Sequence, residues 1–133
     1  MQTFNKIRVI CNDADVDIVD DGSDTKLSGK CNIENDCLVV ELRDDTVLSV
    51  PPGQYEDITI YSINGNCRIK LLNSTINQIY YDSNCGDLTV EADCNNVTFK
   101  SDCGDYVKKG SKTKTNGVGL RPKKSLVAKD SVL

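Results

Sequence analysis

Three cysteines in the second half of the chain recur at a spacing of nine residues, and regularly spaced thiolates could bind a soft metal or form disulfides. Cys85, Cys94 and Cys103 each follow Asn or Asp and precede a short strand-like run. Three thiolates without a fourth ligand make a poor structural zinc site. In coils of eighteen residues Cys85 would lie above Cys103, within reach of a disulfide, and Cys94 would lie on the opposite wall. We expect thiols that line turns or fill the core, with a disulfide and a metal site as the less favoured alternatives.

The same step of nine is close to the repeat of calcium β-rolls, Gly-Gly-x-Gly-x-Asp-x-apolar-x, in which stacked carboxylates hold the ion. Each copy here has at most one Gly, and Asn96 stands midway between Asp87 and Asp105. Calcium takes about six or more oxygen ligands, which this pattern does not supply. We therefore expect no calcium, no other metal and no cofactor.

The chain contains no His, which is the usual general base near neutral pH and the commonest metal ligand. Without His, neither a Ser-His-Asp nor a Cys-His nucleophilic site can be assembled. The acidic residues alternate outward along the predicted strands and form no convergent pair of the kind that cleaves glycosides. We therefore expect no enzymatic activity.

Charge is distributed unevenly along the chain. Residues 1–107 carry nineteen acidic and eight basic side chains, a net charge of −11, whereas residues 108–133 carry eight basic and one acidic, a net charge of +7. The segment from Gly110 to Gly117 has the polar composition of a flexible linker. The basic tail therefore either folds back on the acidic body or contacts an anionic partner, and no specific nucleic-acid motif accompanies it.

The first residues have no apolar run of the kind found in a signal peptide, and no later run is long enough to span a membrane. The sequence therefore predicts a cytoplasmic protein. An odd number of cysteines, seven, fits a reducing compartment better than a disulfide framework.

The elements that would position these residues are short strands, because apolar residues recur at every second position and helical periodicity is lacking. Ala14, Val16 and Ile18, for example, would share one face of a strand. Further strands are predicted from Lys6 to Ile10, around Leu27, from Leu38 to Leu42 and from Val47 to Val50. A Pro-Pro-Gly turn then divides the irregular strands of residues 1–53 from regular coils over residues 54–107. Residues 108–133 form the tail.

The regular part repeats a strand, a Gly-containing turn and a second strand. Gly65, Gly86 and Gly104 stand 21 and 18 residues apart, which is about the length of one β-helix coil. We interpret them as corners that need a positive φ. The residues predicted to align from coil to coil in a core ladder are Ile58, Ile79 and Val97; Ile60, Tyr81 and Phe99; and Leu88 and Val90 after the turns. Cys67 occupies the position of Leu88 and should act as core filler.

The strand-turn units end in Ser-x-Asn-Gly-Asn, Ser-Asn-Cys-Gly-Asp and Ser-Asp-Cys-Gly-Asp, after an apolar segment that ends in Pro-Pro-Gly. This layout, over about residues 4–107, resembles the adhesin β-helix domains of bacteria (head GIN-domain-like), a family of unknown function. The resemblance implies an all-β, right-handed, single-stranded parallel β-helix, or solenoid. It implies no catalytic residue.

We predict a non-enzymatic structural or protein-interaction module. Its partner would be another protein or a second copy, because an open coil end presents unpaired backbone groups. A bactofilin-like polymer is one concrete form of this hypothesis. The alternative is an adhesin-like glycan-binding surface, for which Tyr61 and Tyr80 are the candidate outward-facing rings.

Overall fold

Nine β-strands form one sheet across residues 4–22 and 29–109, the ranges that the computed structural model describes. No helix occurs in these ranges, so the fold is all-β. The strands are β1 (Lys6–Cys11), β2 (Val16–Val19), β3 (Gly29–Glu34), β4 (Cys37–Leu42), β5 (Thr46–Ser49), β6 (Gln54–Ser62), β7 (Cys67–Ser83), β8 (Leu88–Ser101) and β9 (Tyr106–Lys109).

Parallel pairing at coil-length offsets curls the sheet into a solenoid-like stack. Ile58 of β6 lies opposite Ile79 of β7, which lies opposite Val97 of β8. On the facing wall Cys67 lies opposite Leu88, which lies opposite Tyr106 of β9. A register shift in β7 between Leu71 and Thr75 absorbs the change of offset. The long strands β7 and β8 thus bend from one wall to the next.

The order of the strands in space differs from their order in the chain. β1 pairs in parallel with β4 on one side and with β6 on the other. On the opposite wall β2 lies between β5 and β7. The coil made by β4 and β5 therefore stacks outside the coil made by β1 and β2, although it comes later in the sequence.

The sequence predicted a purely parallel sheet, but one strand makes the sheet mixed. β3 runs antiparallel to β4, with Glu34 opposite Cys37 and Gly29 opposite Leu42. The two residues of the connecting turn, Asn35 and Asp36, have φ values of 51° and 63°. Two successive positive φ angles in a two-residue loop are the geometry of the type I′ hairpin, which Asn and Asp tolerate well.

The core is a set of stacked side chains that point inward from every second position. Ile58, Ile79 and Val97 are buried in register, as are Ile60, Tyr81 and Phe99, and Leu88 and Val90. The rings continue the stack: Tyr81 and Phe99 have centroids 5.5 Å apart, and Phe99 and Tyr106 have centroids 5.6 Å apart. Such offset aromatic stacking adds to the free energy of burial.

The limits of the elements bear on three sequence-based expectations. β9 ends at Lys109, so the strand continues two residues beyond the boundary predicted at 107. The strand predicted around Leu27 and the linker predicted from Gly110 onward lie outside the described ranges. Within those ranges no helix is long and apolar enough to cross a membrane.

Candidate functional site

The recurring glycines form a backbone stack at one corner of the solenoid. A Cβ atom on Gly86 would lie 2.1 Å from the carbonyl oxygen of Gly65, and one on Gly104 would lie 1.9 Å from that of Gly86. A Cβ atom on Gly65 would likewise lie 1.8 Å from the carbonyl oxygen of Ala14. In the described ranges, the glycines with positive φ are instead Gly22 and Gly29. The explanation by positive φ is therefore wrong: the corners need Gly because successive backbones touch there.

Side chains beside these glycines form a second ladder along the same corner. The backbone N–H of Asp15 donates to Oδ1 of Asp45, and that of Asn66 donates to Oδ1 of Asp15, both at 2.9 Å. The series continues with Asp87 N–H to Asn66 Oδ1 at 2.9 Å and Asp105 N–H to Asp87 Oδ1 at 2.7 Å. Each carboxylate or amide oxygen thereby holds the turn of the neighbouring coil, which leaves the ladder a structural role.

Buried serines complete the turns from the inside. The backbone N–H groups of Gly86 and Gly104 donate to Oγ of Ser83 and Ser101, at 2.8 and 2.9 Å. In the preceding coil Ser62 donates to the carbonyl oxygen of Gly65 at 2.8 Å. A buried hydroxyl bonded in this way is satisfied by its own turn and is not poised as a nucleophile.

Two of the three regularly spaced cysteines form a disulfide. Cys85 and Cys103 lie in equivalent turns, with Cα atoms 4.7 Å apart and a sequence separation of 18 residues. This pairing corrects the expectation that both would be turn-lining thiols. Cys94 does not lie on the wall opposite these turns. It is buried on a third wall, where Tyr55 of β6, Ile76 of β7 and Cys94 of β8 align. The disulfide is a covalent link between two successive coils.

The remaining described cysteines behave as small apolar residues or surface thiols. Burial raises the pKa of Cys67 well above its ordinary value and raises that of Cys94 to about 11. A neutral thiol is a poor metal ligand and a poor nucleophile. No group of three or more Cys, Asp or Glu side chains among residues 4–22 and 29–109 is arranged to hold a metal.

Acidic residues of the regular coils make structural contacts. Oδ1 of Asp87 accepts the backbone N–H of Asp105, and Glu91 forms an ion pair of 3.5 Å with Lys109. A groove of about 690 Å³ lies on the third wall and is lined by other residues, including Asn5, Glu56, Asn77, Asp93 and Asn95. Its amides bond to each other, as Asn95 Nδ2 donates to Asn77 Oδ1 at 3.3 Å.

Two aromatic rings lie on the outer surface. Tyr61 and Tyr80 have centroids 6.1 Å apart, at an angle of 59°. The guanidinium of Arg8 lies 5.5 Å from the centre of the Tyr61 ring, and Nζ of Lys100 lies 5.3 Å from that of Tyr80. These cations occupy one face of each ring by cation–π contacts. The ring of Tyr55, by contrast, is buried, and its hydroxyl donates to the carbonyl oxygen of Pro51.

The ends of the stack present open strand edges. β3 pairs only with β4, and β9 pairs only with β8, among the strands of the described ranges. All six residues of β3 are exposed. An open edge carries backbone N–H and C=O groups that can add a further strand.

Sequence reasoning missed β3 and its hairpin. The signal that could have found it is the pair Asn35–Asp36, which separates Lys30–Glu34 from the apolar run of β4. Asn and Asp at both central positions favour a type I′ turn even without Gly.

Comparison with known proteins gives one family. A family model described as Toastrack DUF4097 matches residues 4–123. The match covers the whole described stack and extends into the basic segment, past the boundary predicted at 107. Neither the adhesin nor the head GIN description is supported by it. No curated protein and no solved structure matches the chain.

Proposed function

The chain belongs to the Toastrack DUF4097 family, and on that premise we propose that it is a non-enzymatic structural and interaction module that associates with a second copy of itself through a coil end. The observation that carries the proposal is the open edge of β3, whose six residues are all exposed. Strand addition to such an edge recruits a partner through backbone hydrogen bonds.

The interior supports a scaffold rather than a ligand site. Inward-pointing positions are filled by stacked apolar and aromatic side chains such as Ile79, Tyr81 and Phe99. The polar corner residues are engaged with neighbouring coils, as in the bond from Asp105 to Asp87. Parallel crossover connections are right-handed in about 98% of cases, and we propose right-handed winding for these coils as well.

Static light scattering on the full chain over a wide range of concentration tests self-association. We expect the average mass to rise above that of the monomer as concentration increases. A monomer mass at every concentration would overturn the proposal. The same series in the presence of a reductant separates strand pairing from accidental disulfide cross-linking, because pairing does not depend on reductant.

The basic segment carries a second part of the proposal. Residues 108–133 have a net charge of +7, and such a segment attracts anionic surfaces at low salt. We propose that it contacts an anionic partner and that the protein is cytoplasmic, a reducing compartment in which the thiols of Cys85 and Cys103 would be free. Sedimentation with vesicles that contain phosphatidylserine, against neutral vesicles, is the test. Equal recovery on both kinds of vesicle would contradict an anionic lipid as the partner.

A glycan-binding surface is the second candidate, and the adjacent outer rings of Tyr61 and Tyr80 favour it. The cations over these rings, Arg8 and Lys100, would have to move aside before a sugar could stack on those faces. Binding to a glycan array by the unaltered protein, lost on Tyr80→Ala, would support this candidate. Binding that persists in Tyr80→Ala would place any glycan elsewhere.

A further inference from the structure

We propose that β3 pairs with β3 of a second copy, antiparallel and about a two-fold axis that passes beside Asn32. This inference rests on the proposed self-association and specifies its end, its strand and its register. The result would be a closed dimer and not a filament, because an isologous contact uses the same strand on both copies.

The two faces of β3 have opposite character. Cys31 and Ile33 lie opposite Val40 and Leu38, whose side chains point into the core. Directly opposed residues of an antiparallel pair share a face, so Cys31 and Ile33 also point toward the core side. They continue the core side of the sheet past β4, and Ile33 remains 51% exposed. This end of the core thus has an exposed apolar surface with no described strand beyond it.

The outward face carries a charge pattern that is complementary to itself. Lys30 and Glu34 stand two residues before and two residues after Asn32 on this face. Asn32 Nδ2 donates to Oε1 of Glu34 at 3.0 Å, which holds that carboxylate on the outer face. When two such strands pair antiparallel about Asn32, each Lys30 faces Glu34 of the second copy. On the other face each Cys31 meets Ile33 of the second copy.

The phase of the backbone hydrogen bonds agrees with this register. A two-residue hairpin loop makes the flanking pair, Glu34 and Cys37, hydrogen-bonded, and the pattern then alternates along β3. The backbone groups of Cys31 and Ile33 therefore point to the open edge. In the proposed dimer they bond to each other across the axis, with about four hydrogen bonds in all. Lys30 and Glu34 fall at non-hydrogen-bonded positions, where opposed side chains approach most closely.

Charge reversal tests the pairing directly. Lys30→Glu alone and Glu34→Lys alone each place like charges opposite each other twice, and we expect each to weaken the dimer roughly tenfold or more. An equimolar mixture of these two variants restores every opposite-charge pair, so a heterodimer should form as readily as the unaltered homodimer. The double variant Lys30→Glu with Glu34→Lys should also self-associate normally. A mixture no more dimeric than its components would overturn the proposal.

A cysteine at the axis tests the register. In a Cys31→Ser background, Asn32→Cys places two thiols opposite each other at a Cα separation of about 4.5 Å, within disulfide range. Mild oxidation should yield a covalent dimer on a non-reducing gel. Lys30→Cys in the same background is the matched control, since those thiols would be four positions apart along the pair and should not cross-link.

The outcomes separate this inference from the proposed function. If self-association is unchanged by the charge reversals and no cross-link forms at position 32, the β3 register is refuted, but association through another end of the stack is still consistent with the data. A strict monomer in light scattering refutes both. Circular dichroism spectra and urea midpoints, compared at a concentration low enough for the unaltered protein to be monomeric, should equal those of the unaltered protein and show that each variant is folded.

Discussion

The backbone N–H of Asp105 donates a hydrogen bond of 2.7 Å to Oδ1 of Asp87, the residue at the same turn of the previous coil. One coil earlier, the backbone N–H of Asp87 donates in the same way to the amide oxygen Oδ1 of Asn66. The two contacts show that the turn needs an acceptor at this position and not a negative charge. The acidity of this corner therefore contributes to the charge of the body rather than to binding a cation.

Substitutions at Asp87 test that conclusion. Asp87→Ala removes the acceptor for the Asp105 N–H and should lower the free energy of unfolding by about 1 kcal/mol. Asp87→Asn keeps Oδ1 and should be within a few tenths of a kcal/mol of the unaltered protein. Urea denaturation of the three proteins gives the comparison. If Asn proves as costly as Ala, the charge itself stabilises the turn.

Gly86 should be a sensitive position at the same corner. A Cβ there would lie 2.1 Å from the carbonyl oxygen of Gly65 and 2.3 Å from the hydroxyl oxygen of Tyr81, so the coils would have to separate. We expect Gly86→Ala to cost about 3 kcal/mol or more, at the upper end of overpacking. The urea midpoint or the yield of folded protein is the measurement.

Gly22→Ala is the matched control for that prediction. A Cβ on Gly22 would have no neighbour within 4 Å, so its cost comes only from a φ of 82°. That backbone penalty is about 1 kcal/mol. Equal costs at the two positions would contradict the role of close backbone contact at Gly86.

The regular half of the fold is predictable because its information is local. An alternating strand such as Ile58–Ile60 recurs at the spacing of one coil, so the partners of Ile58 follow from the repeat itself. The position of β1 between β4 and β6 does not follow from the repeat, because several short apolar strands would fit that place equally well. Pairings of this kind are decided by long-range packing and not by any local pattern.

The candidate sites also divide into features that follow from the repeat and features that depend on the environment or on tertiary packing. The vertical alignment of Cys85 and Cys103 follows from an eighteen-residue coil, but whether the two sulfurs are bonded depends on the redox environment, which no spacing encodes. The corner glycines were found, yet their cause was misassigned, because contact between stacked backbones is a tertiary property. The exposed edge of β3 was missed since the hairpin turn Asn35–Asp36 lacks the Gly that usually marks it.

The disulfide should make stability depend on redox conditions. Cys85 and Cys103 are 18 residues apart, and closing a loop of this size stabilises the folded state by about 3 kcal/mol in the chain-entropy model. A reductant should therefore lower the melting temperature of the unaltered protein. The double variant Cys85→Ser with Cys103→Ser should start lower and show no response to reductant. A response in that variant would mean that another cysteine pair is involved.

Burial of Cys94 predicts a fall in stability at alkaline pH. Burial raises the pKa of this thiol from 9.0 to about 11, so the folded protein keeps a proton that the unfolded chain releases. The stabilisation linked to the neutral thiol is complete below pH 9 and is lost as the pH rises from about 9 to 11. At pH 10 the loss should be about 1 kcal/mol. Urea midpoints at pH 8 and pH 10 measure this loss.

The variant Cys94→Ala is the control, because it has no thiol at this position to titrate. Its midpoint should fall less over this interval, although buried Cys67 still contributes in both proteins. Identical falls in the two proteins would show that Cys94 is ionised as readily in the folded state as in the unfolded chain.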